Sequence, residues 1–263
     1  MNVLSSLRER LRRKGSVSVV PGSVKRRGEL AYSFIEQGDC LTARELLLKT
    51  LEQRNEIGDL TVLNWLLELL HWTWILTEQY RDGTEFFSKY IPLYPNDVRA
   101  YTLRAGLLWY SGELTQAIDD YSRALELDAN DILARMGRGQ VFAECGEFSN
   151  AINDLNFVNE NLEQNAITDA SWRSQVKAYS FNGKAVAHAG LGDFERALDE
   201  FERSIALCPD NAWVYFNRAM FYENEGSKAE AIADYKLALQ KTSPRLSALK
   251  RKYAEVKVKA IIL

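Results

Sequence analysis

Two histidines, His71 and His188, and three cysteines, Cys40, Cys145 and Cys208, are the residues of this 263-residue chain best suited to acid–base, nucleophilic or metal chemistry. Their spacing supports none of it. The cysteines form no C-x-x-C pair, and neither histidine has a cysteine or carboxylate at metal-ligand spacing. No phosphate-binding glycine loop, G-x-S-x-G elbow or H-E-x-x-H motif occurs. The sequence therefore predicts a protein without catalytic residues, metal site or cofactor. Scattered cysteines, odd in number, fit a reducing compartment, which predicts a cytoplasmic location.

The chemistry that remains is recognition. The stretch NWLLELLHWTW, residues 64–74, holds three of the six tryptophans within the mostly apolar run 60–76. Asn64, Glu68 and His71 interrupt that run, and it is shorter than a membrane span needs. With 46% hydrophobic and 26% charged residues, and with few prolines and glycines, the chain reads as globular and helical. Residues 1–27 carry eight Lys/Arg against Glu9 alone, a net of +7, which leaves −10 for the rest of a chain whose total is −3. Such a balance argues against nucleic acid as the main partner.

The elements that must position these aromatics repeat. Gly38, Gly112, Gly146, Gly192 and Gly226 each have a small residue seven positions before them: Ala31, Ala105, Gly139, Ala185 and Ala219. Five positions after each stands an alanine: Ala43, Ala117, Ala151, Ala197 and Ala231. Nine after stands a large, mainly apolar residue: Leu47, Tyr121, Leu155, Phe201 and Tyr235. Glu78, with His71, Gly83 and Phe87, fits the same grid more loosely. Small residues allow two helices to cross closely, and a glycine between them permits the turn. Asp, Asn and Pro near YPND, DAND and CPDN end each second helix and cap the next.

This pattern resembles the tetratricopeptide repeat family. Copies start near residues 24, 64, 98, 132, 178 and 212, and three of the five spacings equal the 34-residue family period. The resemblance implies an all-α, right-handed α-solenoid of antiparallel helix pairs. Six repeats would fill 24–243, with insertions near 58–63 and 162–177. Residues 1–23 would be a basic segment and linker, and 244–263 a capping helix and tail.

Eight residues before the turn, the last four repeats carry Arg104, Arg138, Lys184 and Arg218; eight after it they carry Asp120, Asp154, Glu200 and Asp234. The first two have Leu30 with Leu46, and Leu70 with Phe86. Both positions change chemistry together, which predicts structural ion pairs across each hairpin. His71 takes a small-residue place, so the second repeat is expected to pack loosely. His188 takes a core place filled elsewhere by Phe34, Trp74, Leu108, Phe142 and Tyr222.

In the family the first helices line a concave groove for peptide segments. Carried over at 13, 10, 9, 6 and 3 residues before the turn, the lining includes Trp65, Leu69, Trp72, Arg99, Trp109, Met136, Gln140, Tyr179, Asn182, Trp213, Phe216 and Asn217. Four tryptophans on a wettable face imply a binding surface. Some members grip a partner's terminal carboxylate with a Lys, Asn and Arg clamp; here only Arg99, Asn182 and Asn217 could serve, and the lysines are missing. The lining suits an apolar or amphipathic segment, its main chain held by Gln140, Asn182 and Asn217. The function implied is a non-catalytic protein–protein interaction module, a scaffold, adaptor or chaperone-like binder of a protein or peptide. The alternative is a self-associating protein whose aromatic face is an oligomer or intramolecular interface, filled by the N-terminal, 160–177 or C-terminal AIIL segment. A secondary reading of the basic N-terminus is attachment to an anionic surface.

Overall fold

The computed structural model describes residues 22–54, 57–163, 170–241 and 248–260, and among these the regular structure is entirely helical. The helices are α1 (Gly22–Glu36), α2 (Cys40–Leu51), α3 (Leu60–Leu76), α4 (Tyr80–Tyr90), α5 (Val98–Ser111), α6 (Leu114–Leu127), α7 (Ile132–Glu144), α8 (Phe148–Asn161), α9 (Ala170–Gly190), α10 (Phe194–Leu207), α11 (Ala212–Asn224), α12 (Lys228–Gln240) and α13 (Ala248–Ala260). The fold is an all-α solenoid type: consecutive helices form six hairpins, followed by α13. Two compact units divide between Ala134 and Arg135. The basic residues 1–21, residues 164–169 of the second insertion and the last three residues of AIIL lie outside the described residues.

The six hairpin turns share one geometry. Gly38, Gly112, Gly146, Gly192 and Gly226 have φ between +77° and +87°, and Glu78 takes the same left-handed place at +55°. At each turn the residue after this position donates its N–H to the carbonyl five residues back, as in Glu113 to Leu108 at 2.8 Å and Gln79 to Trp74 at 3.0 Å. The left-handed residue itself donates three back, as in Gly112 to Trp109 at 3.1 Å. These two bonds occupy carbonyls that a helix end otherwise leaves open. Entry to the first helices is capped by side chains: Asp97 accepts from the Ala100 N–H, Asp131 from Ala134 and Asn211 from Trp213.

The small residues mark the crossings. Ala31, Ala43, Ala105, Ala117, Ala151, Ala185, Ala197 and Ala219 have no exposed surface. A Cβ added to Gly139 would lie 2.8 Å from Leu155 Cγ, so even alanine is too large there. The second hairpin reaches close packing by a different route. Trp74 is 3% exposed, and a Cβ on Gly83 would stand 2.8 Å from its ring. His71 is buried too, its Nε2 within 3.0 Å of where a Cβ of Gly106 would be. The expected loose packing is therefore not found: glycines at 83 and 106 make room for the two large rings.

The first insertion is mostly helical, since α3 begins at Leu60 behind the N-cap Asp59, which accepts from the Thr61 N–H at 2.8 Å. Where the second insertion is described, from Ala170, it extends α9 to 21 residues.

Four charged pairs close the hairpins. Arg104 donates to Asp120 through Nε and Nη2 at 2.6 and 2.7 Å, Arg138 to Asp154 at 2.7 and 2.9 Å, and Arg218 to Asp234 at 2.6 and 2.9 Å. Lys184 Nζ meets Glu200 at 2.6 Å. Bidentate geometry fixes side-chain direction as well as attraction, and the carboxylates are buried. Arg135 adds a longer bond to Asp154 at 3.4 Å and lies 3.9 Å over the Phe157 ring. The first two hairpins carry Leu30 and Leu70 at the cation positions, the former exposed and the latter buried.

Candidate interaction surface

The first helices of each unit carry the residues expected to line a groove, and burial sorts them by position. Ten residues before the turn, Glu68, Thr102, Met136, Asn182 and Phe216 are all buried. Most residues at nine and thirteen before the turn are buried as well. Partial exposure gathers at six and three before the turn, one helical step further round.

In the unit ending at Ala134, Trp65 is 5% exposed because its ring lies on α1; a Cβ on Gly28 would come within 2.2 Å of it. Leu69 is fully buried. Arg99 pairs with Glu68, both side chains largely covered. Trp72 and Trp109 remain half-exposed. Trp72 meets His71 edge-on at 5.6 Å, and Trp109 lies 5.9 Å from Tyr110. Trp72 adjoins His71 in sequence and Trp109 is one turn beyond Gly106, so the two indoles flank the close approach of α3 and α5.

Arg54, which the sequence grid did not single out, staples this unit. Its guanidinium lies 3.4 Å over the Tyr94 ring and 3.1 Å from Asp97, to which Tyr90 also donates at 2.9 Å. Burial and the Asp97 charge push the Tyr90 phenol well above its usual range. An arginine just after a helix and a tyrosine pair before a cap is too common a combination to have signalled this.

In the unit from Arg135, the polar lining is spent internally. Gln140 Nε2 donates to the Tyr179 carbonyl at 3.0 Å, and Asn217 Nδ2 to Asn182 Oδ1 at 3.2 Å. Gln140 and Asn182 are buried, so the expectation that these amides hold a ligand's main chain is corrected: they join adjacent first helices. Met136 and Tyr179 are buried as well. Trp213, expected to be wet, is 3% exposed, with Tyr179 at 6.4 Å on one side and Lys250 of α13 at 5.9 Å over its ring. Phe216 is buried against Tyr235 at 5.8 Å and Tyr253 of α13 at 6.1 Å. With Arg99 paired to Glu68 and Asn182 enclosed, the residues offered for a carboxylate clamp are not presented to solvent as one.

Family models described as tetratricopeptide repeat match residues 178–211 and 200–233, and one described as TPR repeat matches 106–146. The first of these spans α9 from residue 178, α10 and the turn to α11, one full hairpin of the series. The chain contains tetratricopeptide repeats. DnaJ homolog subfamily C member 3 of Gallus gallus is 28% identical over 176 residues, covering 65% of this chain and 34% of its own. TPR repeat-containing protein MJ1428 of Methanocaldococcus jannaschii is 23% identical, covering 77% of this chain and 37% of its own. The chain thus spans about a third of the length of these curated relatives. In fold it is similar to a tetratricopeptide repeat protein of Parabacteroides merdae, with a TM-score of 0.59, 19% identity and coverage of 91% and 87%. It is similar also to the APC/C hetero-tetramer Cut9–Hcn1, with a TM-score of 0.68, 13% identity and coverage of 99% and 46%.

Within this tetratricopeptide framework the polar side chains work as ties. Among the described residues no group of three or more His, Cys, Asp or Glu is placed to hold a metal, and no helix is long and apolar enough to cross a membrane. His188 is buried in the core, and that burial lowers its pKa, favouring the neutral ring. Cys40 is buried, and its thiol is pushed up by the same cause. The first shift weakens His188 as a proton acceptor and the second keeps Cys40 as the thiol at neutral pH.

Proposed function

We propose that the chain is a non-catalytic protein–protein interaction module of the cytoplasm, and that an apolar or amphipathic segment of its partner docks on the first-helix face of α3 and α5. The tetratricopeptide repeats support the interaction module. One observation carries the choice of surface: Trp72 and Trp109 are half-exposed beside each other's helices, while Trp65 and Trp213, on equivalent helices, are buried. Half-exposed indoles on a rigid helical face are what an apolar segment can cover at little ordering cost. Arg99, held by Glu68, sets a polar edge to the patch. The cytoplasmic assignment rests on three free, scattered cysteines.

The test is capture of partner from extract by the wild-type chain and by Trp72→Ala/Trp109→Ala in parallel. Loss of the partner, with helical content retained and the unfolding midpoint lowered only modestly, is the expected result. Retention by the double variant overturns the placement. A mass that rises with concentration for wild type, and stays monomeric for the variant, identifies the partner as a second copy.

A further inference from the structure

The last described helix, α13, does more than follow the hairpins. Its residues 250, 253, 254 and 257 follow the i, i+3, i+4, i+7 spacing of one helical face. Each meets the unit from Arg135. Lys250 Nζ lies 5.9 Å over the Trp213 ring and 3.5 Å from Glu144. Tyr253 stands 6.1 Å from both Phe216 and Tyr235, and its hydroxyl donates to Glu223 at 3.4 Å. Ala254 is fully buried, and Lys257 pairs with Glu223.

The helix is strongly basic, with Lys250, Arg251, Lys252, Lys257 and Lys259 against Glu255 alone. It sits where two carboxylates and two aromatic rings of the first helices α7 and α11 converge. It is also lightly seated: Tyr253 is 40% and Val256 56% exposed, and both paired lysines keep about a third of their side-chain surface in solvent. A cover with one fully buried alanine, the partly buried Val258, a half-open tyrosine and two solvent-reached ion pairs can depart with the α9–α12 hairpins still paired, uncovering Trp213 and Phe216.

We infer that this face is a receptor for a basic amphipathic helix, that α13 is its resident occupant, and that a partner helix with the same Lys-x-x-Tyr-Ala-x-x-Lys face binds by replacing α13. The site is separate from the α3/α5 surface, so neither proposal depends on the other. Glu144 and Glu223 select for positive charge, Trp213 takes the first lysine across its face, and Phe216 takes the aromatic ring. A partner helix lacking lysines at the first and last of these places gains no affinity over solvent contacts.

The probe is a fluorescein-labelled peptide of residues 248–260, read by anisotropy against the full-length chain. In Lys250→Glu/Lys257→Glu, α13 repels its own seat and leaves it open. The variant is expected to bind the peptide about tenfold or more tighter than wild type, since the competent state is no longer masked. Adding Glu144→Lys/Glu223→Lys restores pairing in cis and is expected to abolish that binding. Equal binding by wild type and the double variant, or none by either, overturns the inference. Hydrogen exchange on unaltered wild type gives a second measurement that needs no variant to fold. Saturating peptide is expected to speed exchange in 248–260 while leaving 212–224 protected; unchanged exchange in 248–260 overturns the inference.

Discussion

The two units use their first helices differently although both carry aromatic rings on them. In the unit ending at Ala134, Trp72 and Trp109 keep part of their surface in solvent. In the unit from Arg135, Trp213 and Phe216 are buried, partly by the neighbouring first helix and partly by α13. The contrast shows that an indole on the first-helix face has two fates. Thirteen residues before the turn it becomes packing: Trp65 rests on Gly28, and Trp213 beside Tyr179. Six or three before the turn it stays available.

The sharpest way to break this contrast is to truncate the rings. Trp213→Ala should cost about 3–5 kcal/mol of unfolding free energy, as expected for emptying a large buried site. Trp72→Ala should cost less, about 2 kcal/mol, because part of its surface is already wet. Urea unfolding measures both, and similar losses would erase the distinction.

The ion pairs give the next largest effect. Asp154→Ala leaves Arg138 without its bidentate partner and should cost about 3 kcal/mol, since breaking a buried pair strands a charge. Arg138→Leu/Asp154→Leu should cost clearly less in the same urea titration, because it removes both members of the bidentate pair and leaves only the longer Arg135 bond unmade. The hairpins that carry Leu30 and Leu70 instead show that apolar replacement is compatible with this turn geometry. Equal midpoints for the two variants would mean that the pair contributes nothing beyond its packing.

The smallest effect is a pH dependence confined to the second unit. Burial lowers the pKa of His188 in the folded chain below the unfolded value of about 6.5. Protons then bind the unfolded chain more tightly, so stability is full above pH 6.5 and is lost as pH falls through the folded pKa. His188→Phe, the residue type at the same place in other hairpins, should flatten the urea midpoint between pH 7 and pH 5. An undiminished slope in that variant would assign the dependence to other groups.

Much of this architecture is legible in residue spacing because it rests on short-range sterics. Only residues that tolerate positive φ fit the turn, and only small residues fit the crossings, so glycines and alanines report both directly. Even Glu78 was legible, since its flanking residues match the grid and its backbone takes the left-handed conformation. The Arg and Asp side chains sixteen residues apart meet because hairpin geometry fixes that separation.

The lining was less legible because burial between neighbouring first helices depends on what the next repeat presents. Gln140, Asn182 and Asn217 have the chemistry of ligand-binding amides, yet they bond to one another's helices. Glycines on the same face were the signal that could have shown this. Gly28 accepts Trp65, Gly106 accepts His71 and Gly183 accepts Leu155 and Gln140, each marking where a neighbour comes too close for a groove. The spacing of Lys250, Tyr253 and Lys257 likewise held the clue to what α13 covers.

The most direct test of the interaction surface is a hydrogen-exchange footprint of the wild-type chain, alone and with its captured partner. Protection gained in 65–76 and 98–111, with 80–90 and 114–127 unchanged, is the predicted result. Protection confined to the second helices, or falling wholly outside the first unit, would contradict it.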